Sequence, residues 1–167
     1  DTLDASAMKP SVYVETSVFS FYHDQRDAPV VIAMREWTRQ WWDGPRKHYD
    51  CATSAAVLAE LDAGTLPHRD DALTMARALP ALPVEDETTE VVEVYVKHRV
   101  MPRDPLGDAL HLALASVHKF DYLLTWNCQH LANANKFAHI RRVNSLLGLH
   151  VPELVTPLQL LGGEPTT

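Results

Sequence analysis

Four short segments, far apart in the chain, each set a carboxylate or an amide beside an apolar run. They are VYVETS with Glu15, SAAVLAELD with Glu60, GDALHLALA with Asp108 and DYLLTWN with Asn127. Acidic groups at the edges of buried elements are costly unless something compensates them, and one divalent cation compensates several at once. Oxygen clusters of this kind suit Mg²⁺ or Mn²⁺, which bind carboxylates and keep waters for substrate phosphates. The chemistry such ions serve is phosphodiester hydrolysis. Each position alone has a plainer reading: Glu15 as an acceptor for a helix N-terminus, Asp108 as a first-turn acid favoured by the helix dipole, Glu60 as a surface residue. Taken together, the four favour a metal site.

The elements that must position these groups can be read from periodicity. Residues 11–15 (SVYVE) form a β-branched and aromatic run suited to a buried strand, with Thr16 and Ser17 placed to cap the next segment. Val30, Val31, Met34, Trp37 and Trp41 recur at helical spacing up to Gly44-Pro45. Residues 48–53 predict a second strand, and Ser54 caps a helix through Leu61 with Gly64 past its end. Further helices are predicted over 68–79, 87–99, 106–118 and 132–147, with strands at 82–84, 122–125 and 150–155 and a last helical turn from Thr156. Strands alternating with helices imply a three-layer α/β/α sandwich with a mainly parallel central sheet. In such sheets ligands bind beyond the carboxyl ends of the strands, where Glu15 and Asn127 would stand.

A length of 167 residues suits one domain. Residues 1–8 read as a disordered lead or a remnant of cloning, with Met8 a natural start; 9–162 form the domain and 163–167 a flexible tail. The 46% hydrophobic and 22% charged content is that of a globular chain rather than a disordered one. No apolar stretch approaches the roughly 20 residues that span a bilayer, and the N-terminus lacks a secretory pattern. Two cysteines, Cys51 and Cys128, are too few for a disulfide scaffold, so a reducing cytoplasm is the expected compartment. The net charge of −7 argues against a protein that coats nucleic acid, but not against a nuclease whose acids are neutralised in a metal site. The basic clusters Arg46–His48, Lys97–Arg99 and Lys136–Arg142 read first as solvated faces and helix ends. Trp37, Trp41 and Trp42 read first as helix packing, and second as a partner surface.

On these pieces the chain resembles the PIN-domain family and, within it, the VapC-type toxins of type II toxin–antitoxin systems. The blocks that carry the likeness are VYVETSV, TRQWWD, TSAAVLAELDAG, GDALHLALASVHKFDYLLTWNCQHLANA and VPELVTPLQLL, together spanning Val12 to Leu161. The fourth is the most specific, since acidic helix start, alanine-rich helix, strand and polar tip come in order. The resemblance implies a Mg²⁺- or Mn²⁺-dependent endoribonuclease, a homodimer and inhibition by a small antitoxin protein. It places catalytic and metal-binding roles on Glu15, Glu60, Asp108 and Asn127, with the hydroxyls of Thr16, Ser17 and Thr125 near enough to contact a ligand.

Two positions depart from the family pattern, which usually has Asp at the place of Glu15 and commonly Asp at that of Asn127. Glutamate's extra methylene moves its carboxylate by about 1.3–1.5 Å. Asparagine keeps a carbonyl ligand but removes a full charge. Metal binding is therefore expected ahead of efficient turnover, and a catalytically weakened module that binds RNA or a protein is the alternative. Asp104, one turn before Asp108, is a candidate replacement carboxylate. Asp108 and His111 share a helix face at i and i+3, so a histidine-containing transition-metal site is conceivable, although His111 reads first as a buried hydrogen-bonding residue. His130 is read as a loop histidine before a phosphate contact.

Overall fold

Val12, Tyr13 and Val14 have no exposed surface, as befits a strand covered on both faces. They belong to β1 (Ser11–Val14), the middle strand of a five-stranded sheet in a computed structural model that describes residues 9–98, 100, 105–127 and 134–161. The chain continues through α1 (Thr16–Tyr22), α2 (Pro29–Asp43), a 3₁₀ turn at Pro45–His48, β2 (Asp50–Ser54), α3 (Ala55–Ala63), α4 (Arg69–Arg77), β3 (Ala81–Leu82) and α5 (Asp86–Lys97). It ends with α6 (Pro105–Val117), β4 (Tyr122–Leu124), α7 (Ala134–Leu147), β5 (Glu153–Val155) and α8 (Pro157–Leu161).

The strand order is β3-β2-β1-β4-β5 and every pairing is parallel. Tyr13 stands opposite Ala52 on one side and Leu123 on the other, so β1 and β4 end side by side. The chain first moves outward from β1 to β3, then returns across the sheet to β4. With right-handed crossovers, that reversal puts α1–α4 on one face and α5–α7 on the other. The packing agrees: α1 lies on α2, α3 and α4, while α5 lies on α6. The result is the expected α/β/α sandwich, with the sheet parallel throughout. Its topological switch point falls between β1 and β4, where open α/β sheets leave a crevice for ligands.

The helices and strands match those expected in kind, with shifted ends. Strand residues 82–84 become Ala81–Leu82, and 150–155 shortens to Glu153–Val155. Val30, expected on the apolar face of α2, is 65% exposed in the first turn, and burial there falls on Val31. Trp41 is fully buried, and Trp37 stacks on Trp126 at 6.3 Å, so tryptophan packing is what this helix supplies. Arg46 lies over the Trp42 ring at 4.2 Å and donates to the Trp42 carbonyl, a helix-end role. Asp104, Cys128 and His130 lie outside the described residues, as do 1–8 and 162–167.

The second helical layer is tied by a buried polar knot. The Tyr95 hydroxyl donates to Asn144 Oδ1 at 2.5 Å, and the Asn144 amide donates to Ser116 Oγ and the His150 carbonyl, each at 3.0 Å. Asn144 is fully buried, so removing its side chain takes a partner from Tyr95, Ser116 and the His150 carbonyl, leaving Tyr95 and Ser116 only their mutual 3.2 Å bond. Asn144→Ala is expected to cost about 2–3 kcal/mol in urea unfolding. A loss below about 0.5 kcal/mol would show that the knot is not what secures α7.

Candidate metal centre

Glu15 comes directly after β1 and caps α1. Its backbone N–H continues the ladder to the Leu124 carbonyl at 3.1 Å, which fixes it beside the end of β4. Its Oε1 accepts from the Ser17 N–H at 3.1 Å, the Ser17 hydroxyl at 2.5 Å and the Thr125 hydroxyl at 2.6 Å. The Trp126 N–H in turn donates to Ser17 Oγ at 2.9 Å, and the Asn127 N–H to Thr125 Oγ1 at 3.0 Å. The residue is 5% exposed. Its second oxygen, Oε2, faces the Asn127 side-chain nitrogen at 3.5 Å, longer than a good hydrogen bond.

Glu60 reaches the same place from the last turns of α3, whose start is set by Ser54 accepting the Val57 N–H at 3.2 Å. Its Oε2 accepts from the Thr16 hydroxyl at 2.8 Å, and its Oε1 lies 2.7 Å from His111 Nε2. His111 comes from the buried face of α6 and is 2% exposed. Donor atoms of Glu15, Glu60 and His111 all lie within 4.8 Å of one another. Asp108 sits half-buried in the first turn of α6, one turn from His111, and its charge acts on that ring.

This crowding sets the electrostatics. Burial would lower the proton affinity of His111, yet the Glu60 hydrogen bond and the charges of Glu15, Glu60 and Asp108 raise it above the ordinary value. Burial would raise that of Glu60, but the His111 hydrogen bond and charge, with the Thr16 hydroxyl, bring it below the usual carboxylate range. A cavity of about 640 Å³ opens over Glu15, Glu60 and Asn127, with Arg26 and His68 on its wall. Arg26 also holds the Asp24 carboxylate at 2.6 Å and lowers its proton affinity.

Of the residues proposed from sequence, Glu15 and Glu60 converge, Asn127 touches Glu15, and Asp108 acts from one turn away. Thr16, Ser17 and Thr125 are turned onto the two glutamates and hold them in place. His111 does what its first reading expected, as a buried hydrogen-bonding residue, but it also joins the converging donors. Tyr13, Ser54 and Trp126 had no place in the sequence-derived site. Tyr13 was detectable in principle, since it stands two residues before Glu15 on the same strand face. Trp126 donates from its ring to Thr38 Oγ1 at 2.8 Å and so pins the Thr125–Asn127 segment to α2.

A switch-point crevice lined by two glutamates and fed by a parallel sheet defines an α/β protein with a candidate divalent-cation centre. The family model for the PIN domain matches residues 12–127, from β1 to Asn127, and the chain belongs to that family. FitAcB from Neisseria gonorrhoeae is similar in structure, with a TM-score of 0.51 and 16% identity over 87% of this chain and 97% of that one. A member of the VapBC family of toxin–antitoxin systems, VapBC-5 from Mycobacterium tuberculosis, aligns with a TM-score of 0.48 and 22% identity over 75% of this chain and 94% of its own. A search of curated proteins gives no match.

The Glu60–His111 pair sets a pH window in metal-free protein. His111, raised above its ordinary 6.5, contributes stability that is full below that value and lost as pH rises through the folded one. Glu60, lowered from 4.5, contributes stability that is present above that value and lost as pH falls through the folded one. The pair is therefore worth most between those two ordinary values. With chelator present, NMR should show His111 titrating above 6.5, and Glu60→Gln should bring it down. An unchanged titration in the variant would separate the two residues.

Proposed function

We propose that this protein is a metal-dependent endoribonuclease of the VapC type, the toxin of a toxin–antitoxin pair. The observation that carries the proposal is the convergence of Glu15 and Glu60 at the switch point of a PIN-family sheet, with Asn127 beside them. The donor set fits the cation such an enzyme needs: Glu15 Oε2 has only a long 3.5 Å contact to the Asn127 side-chain nitrogen, Glu60 keeps a half-exposed carboxylate, and Asn127 lines the same cavity. Asp108 adds negative charge from α6. A divalent cation bound there would polarise the phosphodiester and activate water for attack.

The chain's own residues have three tasks in this reading. Ser17, Thr125 and Thr16 hold the carboxylates in fixed directions, which spares reorganisation during the reaction. Arg26, on the cavity wall, offers a guanidinium to a substrate phosphate. The cavity itself, about 640 Å³, is in the range that takes a small molecule or a nucleotide unit. The VapC-like sequence blocks support a small antitoxin protein as partner, and the homodimer belongs to the same proposal. No described helix is long and apolar enough to cross a membrane.

One feature favours the weaker alternative, a PIN module that binds without efficient cleavage. Three donors already occupy Glu15 Oε1, and Asn127 brings no charge. Cleavage of unstructured RNA with Mg²⁺ or Mn²⁺ decides between the two. The proposal expects cleavage abolished by chelator, and falling at least about 100-fold in Glu60→Gln and Asp108→Asn, the scale at which a single charge-stabilising group acts. RNA binding in chelator with no cleavage under either ion would favour the module.

A further inference from the structure

Among the described residues, the imidazole of His111 brings a nitrogen to the converging donors, and its surroundings are built to hold it. Its Nε2 lies 2.7 Å from Glu60 Oε1 and within 4.8 Å of a Glu15 oxygen. Its Nδ1 lies 2.7 Å from the Tyr13 hydroxyl, which lies 2.7 Å from Ser54 Oγ. Ser54 accepts the Val57 N–H, so the relay ends on the first turn of α3, the helix that carries Glu60. Tyr13 and Ser54 have no exposed surface and His111 has 2%.

Two hydroxyls in series can carry the hydrogen bonds in either direction. With the proton on Nε2 and given to Glu60, Ser54 donates to Tyr13 and Tyr13 donates to Nδ1. With the proton on Nδ1, that N–H donates to Tyr13 and Tyr13 donates to Ser54. The second state turns the Nε2 lone pair toward a carboxylate, an arrangement that a shared cation makes favourable. Histidines that bind metals usually donate their other ring N–H to a nearby acceptor, which fixes the tautomer. Tyr13 is placed as that acceptor.

We propose that His111 Nε2 is a metal ligand alongside Glu15 and Glu60, with Tyr13 and Ser54 as its outer support, and that this set favours a first-row transition ion over Mg²⁺. The proposal rests on the divalent-cation reading above and adds to it a third ligand and an order of metal preference. Adjacent ligands around an ion bonded at about 2.0–2.1 Å stand ~2.9 Å apart in octahedral and ~3.3 Å in tetrahedral geometry, against 2.7 Å for the Glu60–His111 contact. Between Glu60 and His111 an ion can thus replace the hydrogen bond with movements of a few tenths of an ångström, while the Glu15 oxygen, within 4.8 Å of the other donors, closes in to complete the set. Imidazole suits transition ions, whereas Mg²⁺ prefers oxygen, so a nitrogen in the set shifts the order of affinities.

Pulsed EPR of Mn²⁺ bound to the full chain tests the ligand. The expected result is a ¹⁴N coupling of directly bound imidazole, lost in His111→Gln and retained in Tyr13→Phe. Calorimetry with Co²⁺ and Mg²⁺ tests the preference. His111→Gln should lower the Co²⁺-to-Mg²⁺ affinity ratio by about tenfold or more, and Tyr13→Phe should weaken Co²⁺ by about tenfold. Bound Mn²⁺ without nitrogen coupling, or a His111→Gln variant that weakens both ions equally, overturns the assignment. If His111→Gln does not fold, the wild-type coupling and the Tyr13→Phe affinity still decide it. Nitrogen coupling without RNA cleavage would uphold this inference and refute the nuclease; absence of any metal binding would refute both.

Discussion

Removing the Glu15 carboxylate from water at the end of a central strand costs several kcal/mol unless charge and hydrogen bonds answer it. Much of the neighbouring structure supplies that answer. Ser17 gives both its backbone N–H and its hydroxyl, and Thr125 gives its hydroxyl from the end of β4. The same two oxygens then accept the N–H groups of Trp126 and Asn127, so the segment after β4 is folded onto the acid. Trp126 locks that segment to α2 through Thr38 and stacks on Trp37. A single desolvated carboxylate thereby joins β1, β4, α1 and α2 at the switch point.

Hydrogen bonds satisfy Glu15 Oε1 but leave the charge of the whole edge uncompensated. Glu60 and Asp108 add to it, and together with Glu15 they raise the proton affinity of His111. The 2.7 Å hydrogen bond between Glu60 and His111 stands where the proposed cation would bind. The arrangement links the metal-free state to the proposed loaded one, because the ring that pairs with Glu60 has its far side held by Tyr13, which Ser54 holds in turn.

Much of the fold was legible because its elements are strongly periodic. The VYV run, the Ser54 cap with Gly64 past the helix end, and the alanine-rich α6 all formed as expected. Short edge strands were misjudged in length, since β3 and β5 carry few residues and their ends depend on neighbours rather than on local propensity. At the site, Glu15 and Glu60 could be found because an acid beside a buried run is unusual. The uses of Thr16, Ser17 and Thr125 could not be read, because a hydroxyl's direction is decided by what faces it. Tyr13 and Ser54 were hidden for a related reason: each has an ordinary local role, strand core and helix cap, and Tyr13 meets His111 only across a sequence separation of 98, with Ser54 joined through Tyr13.

The central claim is that the crevice between β1 and β4 is a divalent-cation centre. Anomalous scattering from a crystal soaked in Mn²⁺ tests it most directly. The predicted result is a peak bonded to the carboxylates of Glu15 and Glu60, with the Glu60–His111 hydrogen bond opened to admit it. No peak in that crevice, with Glu60 and His111 still closed on each other, would contradict it.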